Sequence, residues 1–144
     1  MTHGFDTSFL VAAEVLGHGD HENSRARLAS LRSAGDNFAI APQVLAEFIH
    51  VVTDPKRFSS PLSPEAALSR AEIWWTSGEV KQVLPNPETL REFFAWMRLH
   101  KRGRKQILDT LLAATYKAAG IGSVLTTNAR DFSVFNQFQI VQPT

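Results

Sequence analysis

With 144 residues, 44% of them hydrophobic and 10% aromatic, the chain has the composition of one folded domain over residues 1–144, not of a disordered polymer. The lack of cysteine excludes disulfides, thiolate zinc sites and cysteine nucleophiles, and it suits a reducing, cytoplasmic setting. A formal net charge of +1 supplies no global field for a polyanion, so an interface with nucleic acid has to arise from local clustering. No run approaches the ~20 apolar residues of a membrane span. Met1-Thr2-His3-Gly4-Phe5-Asp6 also lacks the basic-then-apolar order of a leader, which predicts a soluble, unprocessed chain.

A short strand runs into Phe5-Asp6, and a helix follows over about Thr7–Leu16, stopped by Gly17 and Gly19. Asp20 is placed to cap a second helix that lasts to Ser33, with Gly35 beyond its end. Phe38-Ala39-Ile40 reads as a strand. Pro42 then suits the first turn of a helix whose apolar face carries Val44, Leu45, Phe48, Ile49 and Val52, and Asp54-Pro55 ends it. Ser63-Pro64 opens a helix to about Trp75, Val80–Val83 is a strand, and Asn86-Pro87-Glu88 starts a helix to about His100. After Gly103 a helix resumes near Lys105 and ends at Ala119-Gly120. Ser123–Thr127 is a buried-type strand and Gln139-Ile140-Val141 an edge strand. Short strands alternating with helices predict an α/β fold with a parallel sheet covered on both faces.

In such a sheet each helix begins at the carboxyl edge of the strand before it, so sites gather outside that edge. Asp6 stands where the first strand runs out, Glu47 in the second turn of a following helix, Asp109 early in the last long helix, and Asp131 shortly after the Ser123–Thr127 strand. The order of elements sends all these acids to one rim. Like charges brought together repel, and a divalent cation resolves the conflict; oxygen ligands without His or Cys favour Mg²⁺ or Mn²⁺. Singly, each acid has a plainer reading: Asp6 as a helix cap, Glu47 as a solvated helix-border acid, Asp131 as a turn former. Asp109, between Ile107-Leu108 and Leu111-Leu112, is a carboxylate in an apolar setting and needs a partner.

The same residues carry a family likeness. Phe5-Asp6-Thr7-Ser8-Phe9-Leu10-Val11-Ala12 resembles the opening of PIN domains, particularly VapC-type toxins. Leu45-Ala46-Glu47-Phe48 resembles their second acidic motif, and Leu108-Asp109-Thr110-Leu111-Leu112-Ala113-Ala114-Thr115 with Gly120 is similar to the third. Thr126-Thr127-Asn128-Ala129-Arg130-Asp131-Phe132 resembles the closing motif. The likeness implies a PIN-like fold with a short central parallel sheet of about four to five strands and helices on both faces. It implies a Mg²⁺- or Mn²⁺-dependent endoribonuclease, the toxin of a type II toxin–antitoxin pair, acting on tRNA, rRNA or mRNA. A homodimer and a VapB-like antitoxin follow as expected partners. By position, Asp6, Glu47, Asp109 and Asp131 become the catalytic, metal-holding acids, with Ser8 and Thr127 as hydrogen-bond donors that hold carboxylates in place. Many members carry an acid where Asn128 stands, so either Asp131 takes the fourth acidic role or Asn128 orients a water or ligates through its carbonyl.

Outside those motifs, Lys101, Arg102, Arg104 and Lys105 form a cationic run just before Asp109. It reads either as a solvated turn or, preferred here, as a phosphate-contacting rim. His18-Gly19-Asp20-His21 is read as a solvent-facing or capping segment, not a metal cluster. Phe9, Trp74, Trp75, Phe93, Phe94, Trp96 and Met97 fall at helical spacing and are mostly core, with some left for an antitoxin helix or a dimer face. Phe58-Ser59-Ser60-Pro61 is a loop with a weak case for touching substrate. No His–Ser or His–His pairing elsewhere offers a metal-free ribonuclease mechanism. Asp6-Thr7-Ser8 lacks the second Asp of aspartyl-phosphate phosphatases, and DNA stays open as a substrate. The competing function is a degenerate PIN-like binding or regulatory module, motivated by Asn128 and the near-neutral charge.

Overall fold

The computed structural model describes all 144 residues. Strand β1 (Thr2–Phe5) leads into α1 (Thr7–Glu14) and α2 (His21–Ser33), then β2 (Asn37–Ile40) into α3 (Pro42–Val52) and α4 (Pro64–Thr76). Strand β3 (Val80–Gln82) is followed by α5 (Pro87–Leu99), a 3-10 turn (Arg104–Gln106) and α6 (Ile107–Ala118). Strand β4 (Ser123–Leu125), a short α7 (Arg130–Ser133) and β5 (Gln139–Val141) complete the chain.

The caps follow from the local sequence. Pro42, Pro64 and Pro87 occupy first turns, where their missing N–H costs nothing. Ser63 Oγ accepts from Ala66 N at 3.1 Å. Asn86 and Thr89 exchange side-chain and main-chain hydrogen bonds in a capping box. Gly35 (φ 84°) and Gly120 (φ 76°) terminate α2 and α6 in the left-handed region that glycine adopts without strain. Asp20 precedes α2 as expected, but its side chain makes no cap; its N–H donates to His18 Nδ1 at 3.0 Å.

All strand pairings are parallel and the order is β3-β2-β1-β4-β5. The chain winds outward from β1 in one direction through β2 and β3, then crosses back to β4 and β5. The order therefore reverses between β1 and β4, and the crevice outside the carboxyl ends of those two strands is where such sheets take ligands. The core is continuous: Phe5, Phe9, Phe38, Phe48 and Tyr116 are fully buried, and Trp74 packs edge-on to Phe5 at 5.0 Å between centroids.

One close approach fixes α6 against the sheet. A Cβ on Gly4 would lie 2.7 Å from a Tyr116 ring carbon, so only glycine lets the ring lie against β1. The Tyr116 hydroxyl donates to Phe5 O at 2.6 Å. Asp109 lies two turns before Tyr116 on the same helix face, so this anchor also sets where Asp109 stands relative to the end of β1. No helix is long and apolar enough to cross a membrane.

Candidate functional site

A cavity of about 380 Å³ opens at the reversal point, and its lining includes Asp6, Glu47, Asp109 and Asp131, together with Ser8, Thr127 and Asn128. Each acid arrives by a different route. Asp6 is the residue between β1 and α1, Glu47 borders the buried face made by Val44, Phe48 and Val52, Asp109 is in the first turn of α6, and Asp131 is in α7. The sequence contains no periodic signal for α7, which is a single turn; Asp131 was expected after a strand and stands in a helix.

Asp6 is 6% exposed, and its carboxylate does not cap α1. Instead Ser8 Oγ and Thr126 Oγ1 both donate to its Oδ2 at 2.7 Å. The expected donor pair was Ser8 and Thr127, and Thr126 replaces Thr127 for a reason of register. Gly4 pairs with Val124 and Phe5 with Leu125, so Asp6 faces Thr126 across the two strands, and residues in register share a face. Thr127 lies one step further, and its main-chain N–H donates to Ser8 Oγ at 3.1 Å. Asn128 N–H donates to Thr126 Oγ1 at 2.9 Å, closing a chain of hydrogen bonds around Asp6.

The electrostatics are those of crowded like charges. Burial raises the Asp6 carboxyl above the usual carboxylate range, against the lowering effect of its hydroxyl donors. Glu47 is also raised, by desolvation and then by the charge of Asp6. Asp109 is pushed up to about 7, first by desolvation, then by the charges of Asp6, Asp131 and Glu47, and last by the hydrogen bond its protonated form can make to Asp131. Nowhere in the chain do three His, Asp or Glu side chains stand close enough to enclose an ion, so the acids share a cavity without closing into a cage. The donor set nevertheless fits a hard divalent cation: carboxylate oxygens, one amide, and a raised Asp109 whose strain a positive charge relieves.

The cationic run does not line this cavity. Lys101, Arg104 and Lys105 are exposed outside it. Arg102 turns inward, its Nε donating to Thr110 Oγ1 and a terminal N–H to Asp131 O, each at 3.2 Å, while the guanidinium stacks 5.2 Å from the Phe135 ring centre. It is a brace between α6 and α7, which corrects its expected place on a phosphate rim; its partners lie 8 and 29 residues away and are invisible to local charge counting. The arginine that does line the cavity is Arg57, in the turn after α3, beside Phe58. His18 also lines it, whereas His21 Nδ1 is bonded to Ala12 O at 3.0 Å. Arg57 has no sequence signal beyond its neighbour Phe58; His18, expected to face solvent or a cap, lines the cavity, and Thr126, present in the closing motif without an assigned role, is the residue that bonds Asp6.

Comparison with known proteins agrees with this architecture. The PIN-domain family profile matches residues 5–136. VapC20 of Mycobacterium tuberculosis, described as a sarcin–ricin-loop-cleaving toxin, superposes with a TM-score of 0.72 at 20% identity, over 95% of this chain and 96% of that one. VapBC2 of Rickettsia felis, solved with a promoter DNA fragment, gives 0.71 at 18% identity over 99% and 98%. VapBC-1 of nontypeable Haemophilus influenzae gives 0.68 at 16% identity over 99% and 98%. No curated protein matches the chain significantly by sequence. The profile spans nearly the whole chain, and the solved relatives share its fold: the chain belongs to the PIN-domain family.

Proposed function

We propose that residues 1–144 act as one metal-dependent endoribonuclease unit, the toxin of a type II toxin–antitoxin pair. One observation carries the reading: acids from four separate elements line one cavity at the point where the sheet order reverses. Asp6, Glu47, Asp109 and Asp131 would hold Mg²⁺ or Mn²⁺, with Asn128 as an added oxygen donor. When bound, such an ion supplies Lewis-acid activation of water and charge neutralisation at the phosphodiester. The chain's own part is positional. Ser8 and Thr126 fix one oxygen of Asp6, whose carboxylate lines the cavity. Tyr116 and Arg102 hold α6 and α7 so that Asp109 and Asp131 stay beside it. Thus the reacting groups meet a preorganised set of carboxylates instead of ordering them during the reaction.

The relatives' descriptions support RNA as substrate and an antitoxin as partner, since they include an RNA-loop-cleaving toxin and toxin–antitoxin complexes. A homodimer and a cytoplasmic location belong to the same reading. The test is incubation of purified protein with total RNA, with and without EDTA. Cleavage that EDTA stops and that Asp6→Asn abolishes, with the variant still folded, is the expected result. Wild-type rates from Asp6→Asn sink the site assignment.

A second reading, a non-catalytic regulatory module, draws on the open arrangement of the acids. Calorimetric titration with Mn²⁺ separates the two: heat of binding is expected for the nuclease, and its absence in the wild type favours the module.

A further inference from the structure

The acid cavity has a neighbour. A second cavity of about 540 Å³ lies between the end of α1 and the loop that follows α3, and Arg57 and Phe58 line both. Val15, Val52 and Leu62 give it apolar walls, and Ser59 and Ser60 add hydroxyls. Glu14 is also part of its lining, but that carboxylate is spent: Arg70 donates to it twice, at 2.8 and 3.0 Å, and Trp74 Nε1 at 2.6 Å. The second cavity is thus mainly apolar and free of uncompensated negative charge, unlike its neighbour.

We propose that this second cavity is a nucleobase subsite for single-stranded RNA, with Phe58 as the stacking face and Arg57 holding the phosphate between the two cavities. The assignment rests on the nuclease reading above and extends it to the way substrate is gripped. Three properties support it. Mostly apolar walls with a few hydroxyls suit a planar heteroaromatic ring, and an aromatic side chain at the wall offers stacking that any base satisfies. Arg57 is the only lysine or arginine lining the acid cavity, where a phosphodiester otherwise meets carboxylates. Its present partner is Asp54, at 3.4 Å, with the arginine side chain 58% exposed. An exposed pair of that kind is held weakly and exchanges readily for a phosphate. The two cavities adjoin at these two residues, so a strand whose scissile phosphate sits among the acids has its next base delivered to the apolar side.

The test uses the non-cleaving Asp6→Asn protein and a fluorescein-labelled single-stranded oligoribonucleotide, with anisotropy read in Mn²⁺ over a series of salt concentrations. Adding Arg57→Ala is expected to weaken binding about tenfold and to reduce the slope of log affinity against log salt by about 0.7, the signature of one lost phosphate contact. Adding Phe58→Leu or Phe58→Ala is expected to weaken binding about tenfold with the slope unchanged. Phe58→Leu keeps apolar volume, and the thermal midpoint of each variant shows that it is folded. Parental affinity in Arg57→Ala and Phe58→Leu overturns the subsite, even where the wild type cleaves RNA in a metal-dependent way. Weakened binding with the expected slopes, in a wild type that cleaves no RNA, retains the subsite and sinks only the nuclease reading. If the parent takes up no RNA at low salt, the subsite falls. If the same substitutions release a bound polypeptide and leave RNA affinity untouched, the cavity belongs to a protein partner and the proposal falls.

Discussion

A buried titratable side chain stands near each end of strand β1, His3 within it and Asp6 just past it, and the two edges of the sheet treat them in opposite ways. At the amino edge, His3 is bonded through Nδ1 to Ser123 Oγ at 2.7 Å and through Nε2 to Asp36 Oδ2 at 2.9 Å, and Asp36 also accepts from the N-terminal ammonium at 3.1 Å. Every charge there has a partner, and hydrogen bonds from His3 and then from the amino terminus hold the Asp36 carboxyl below its usual range. The geometry has the connectivity of a Ser–His–Asp relay, whereas the sequence reading finds no His–Ser pairing. Yet Ser123 is wholly buried, so no substrate reaches its hydroxyl. At the carboxyl edge, four acids share a cavity with one arginine and no paired cation of their own. Satisfied polar groups at one edge stabilise the fold; frustrated ones at the other leave work for a ligand to do.

The largest effect expected from breaking this asymmetry is in catalysis. Asp109→Asn removes the acid on which the other three converge, and RNA cleavage is expected to fall by about 10³-fold, measured as initial rate on a labelled transcript. The same change should stabilise the metal-free protein. Asp109 has its folded-state pKa raised from 3.8 to about 7, so between those values the folded form binds more protons than the unfolded form. Stability contributed by the protonated acid is present below pH 4 and is lost as pH rises through about 7. Thermal scans in EDTA should therefore show the wild type losing stability from pH 5 to pH 8 relative to Asp109→Asn, by several degrees. Mn²⁺ should restore it in the wild type alone. Asp36 has the opposite sign, but its lowered pKa places its loss of stability below pH 4, outside this window. Equal midpoints for the two proteins at pH 8 in EDTA would show that the acids do not repel as described.

Next in size is Thr126→Val, which deletes one of the two hydroxyls on Asp6 Oδ2. Loss of such an orienting donor is expected to weaken Mn²⁺ affinity by about 10–100-fold in calorimetry, with the fold retained.

How much of this was legible in the sequence differs between the edges. The alternation of strands and helices, the proline and Asn86 starts and the glycine stops are local signals, and every predicted strand and long helix is present. That Asp6, Glu47, Asp109 and Asp131 come to one rim was legible because element order sends strand ends and helix starts to the carboxyl edge. The rest depends on pairings between distant residues. His3 and Ser123 are 120 positions apart, and their bond follows from the parallel register of β1 with β4. Arg102 looked like a phosphate contact because its neighbours are basic, but Thr110 and the Asp131 carbonyl draw it inward. Arg57 carries no pattern beyond a basic residue after a helix stop; what marks it is the cavity it shares with the acids.

At the amino edge, His3→Leu tests the other half of the comparison. It leaves Ser123 Oγ buried without its partner, a change expected to cost about 1–3 kcal/mol in urea unfolding, while cleavage per folded molecule stays unchanged. A loss of activity without a loss of stability would mean that the relay communicates with the carboxyl edge.

The smallest expected effect is the most discriminating one for how the site is built. Thr126 and Thr127 are adjacent and chemically identical, and the family likeness alone points to Thr127. Register decides otherwise: Thr126 lies opposite Asp6 on the shared face, and only its hydroxyl reaches the carboxylate. Thr127 uses its main-chain N–H toward Ser8, which valine retains. Thr127→Val is therefore expected to change stability by less than about 0.5 kcal/mol, with Mn²⁺ affinity close to wild type. Calorimetry on the two valine variants side by side makes the comparison internal, since both lose one hydroxyl. A large loss from Thr127→Val with little from Thr126→Val would mean that β4 is displaced by one residue relative to β1, because a one-residue slip exchanges the faces of the whole strand.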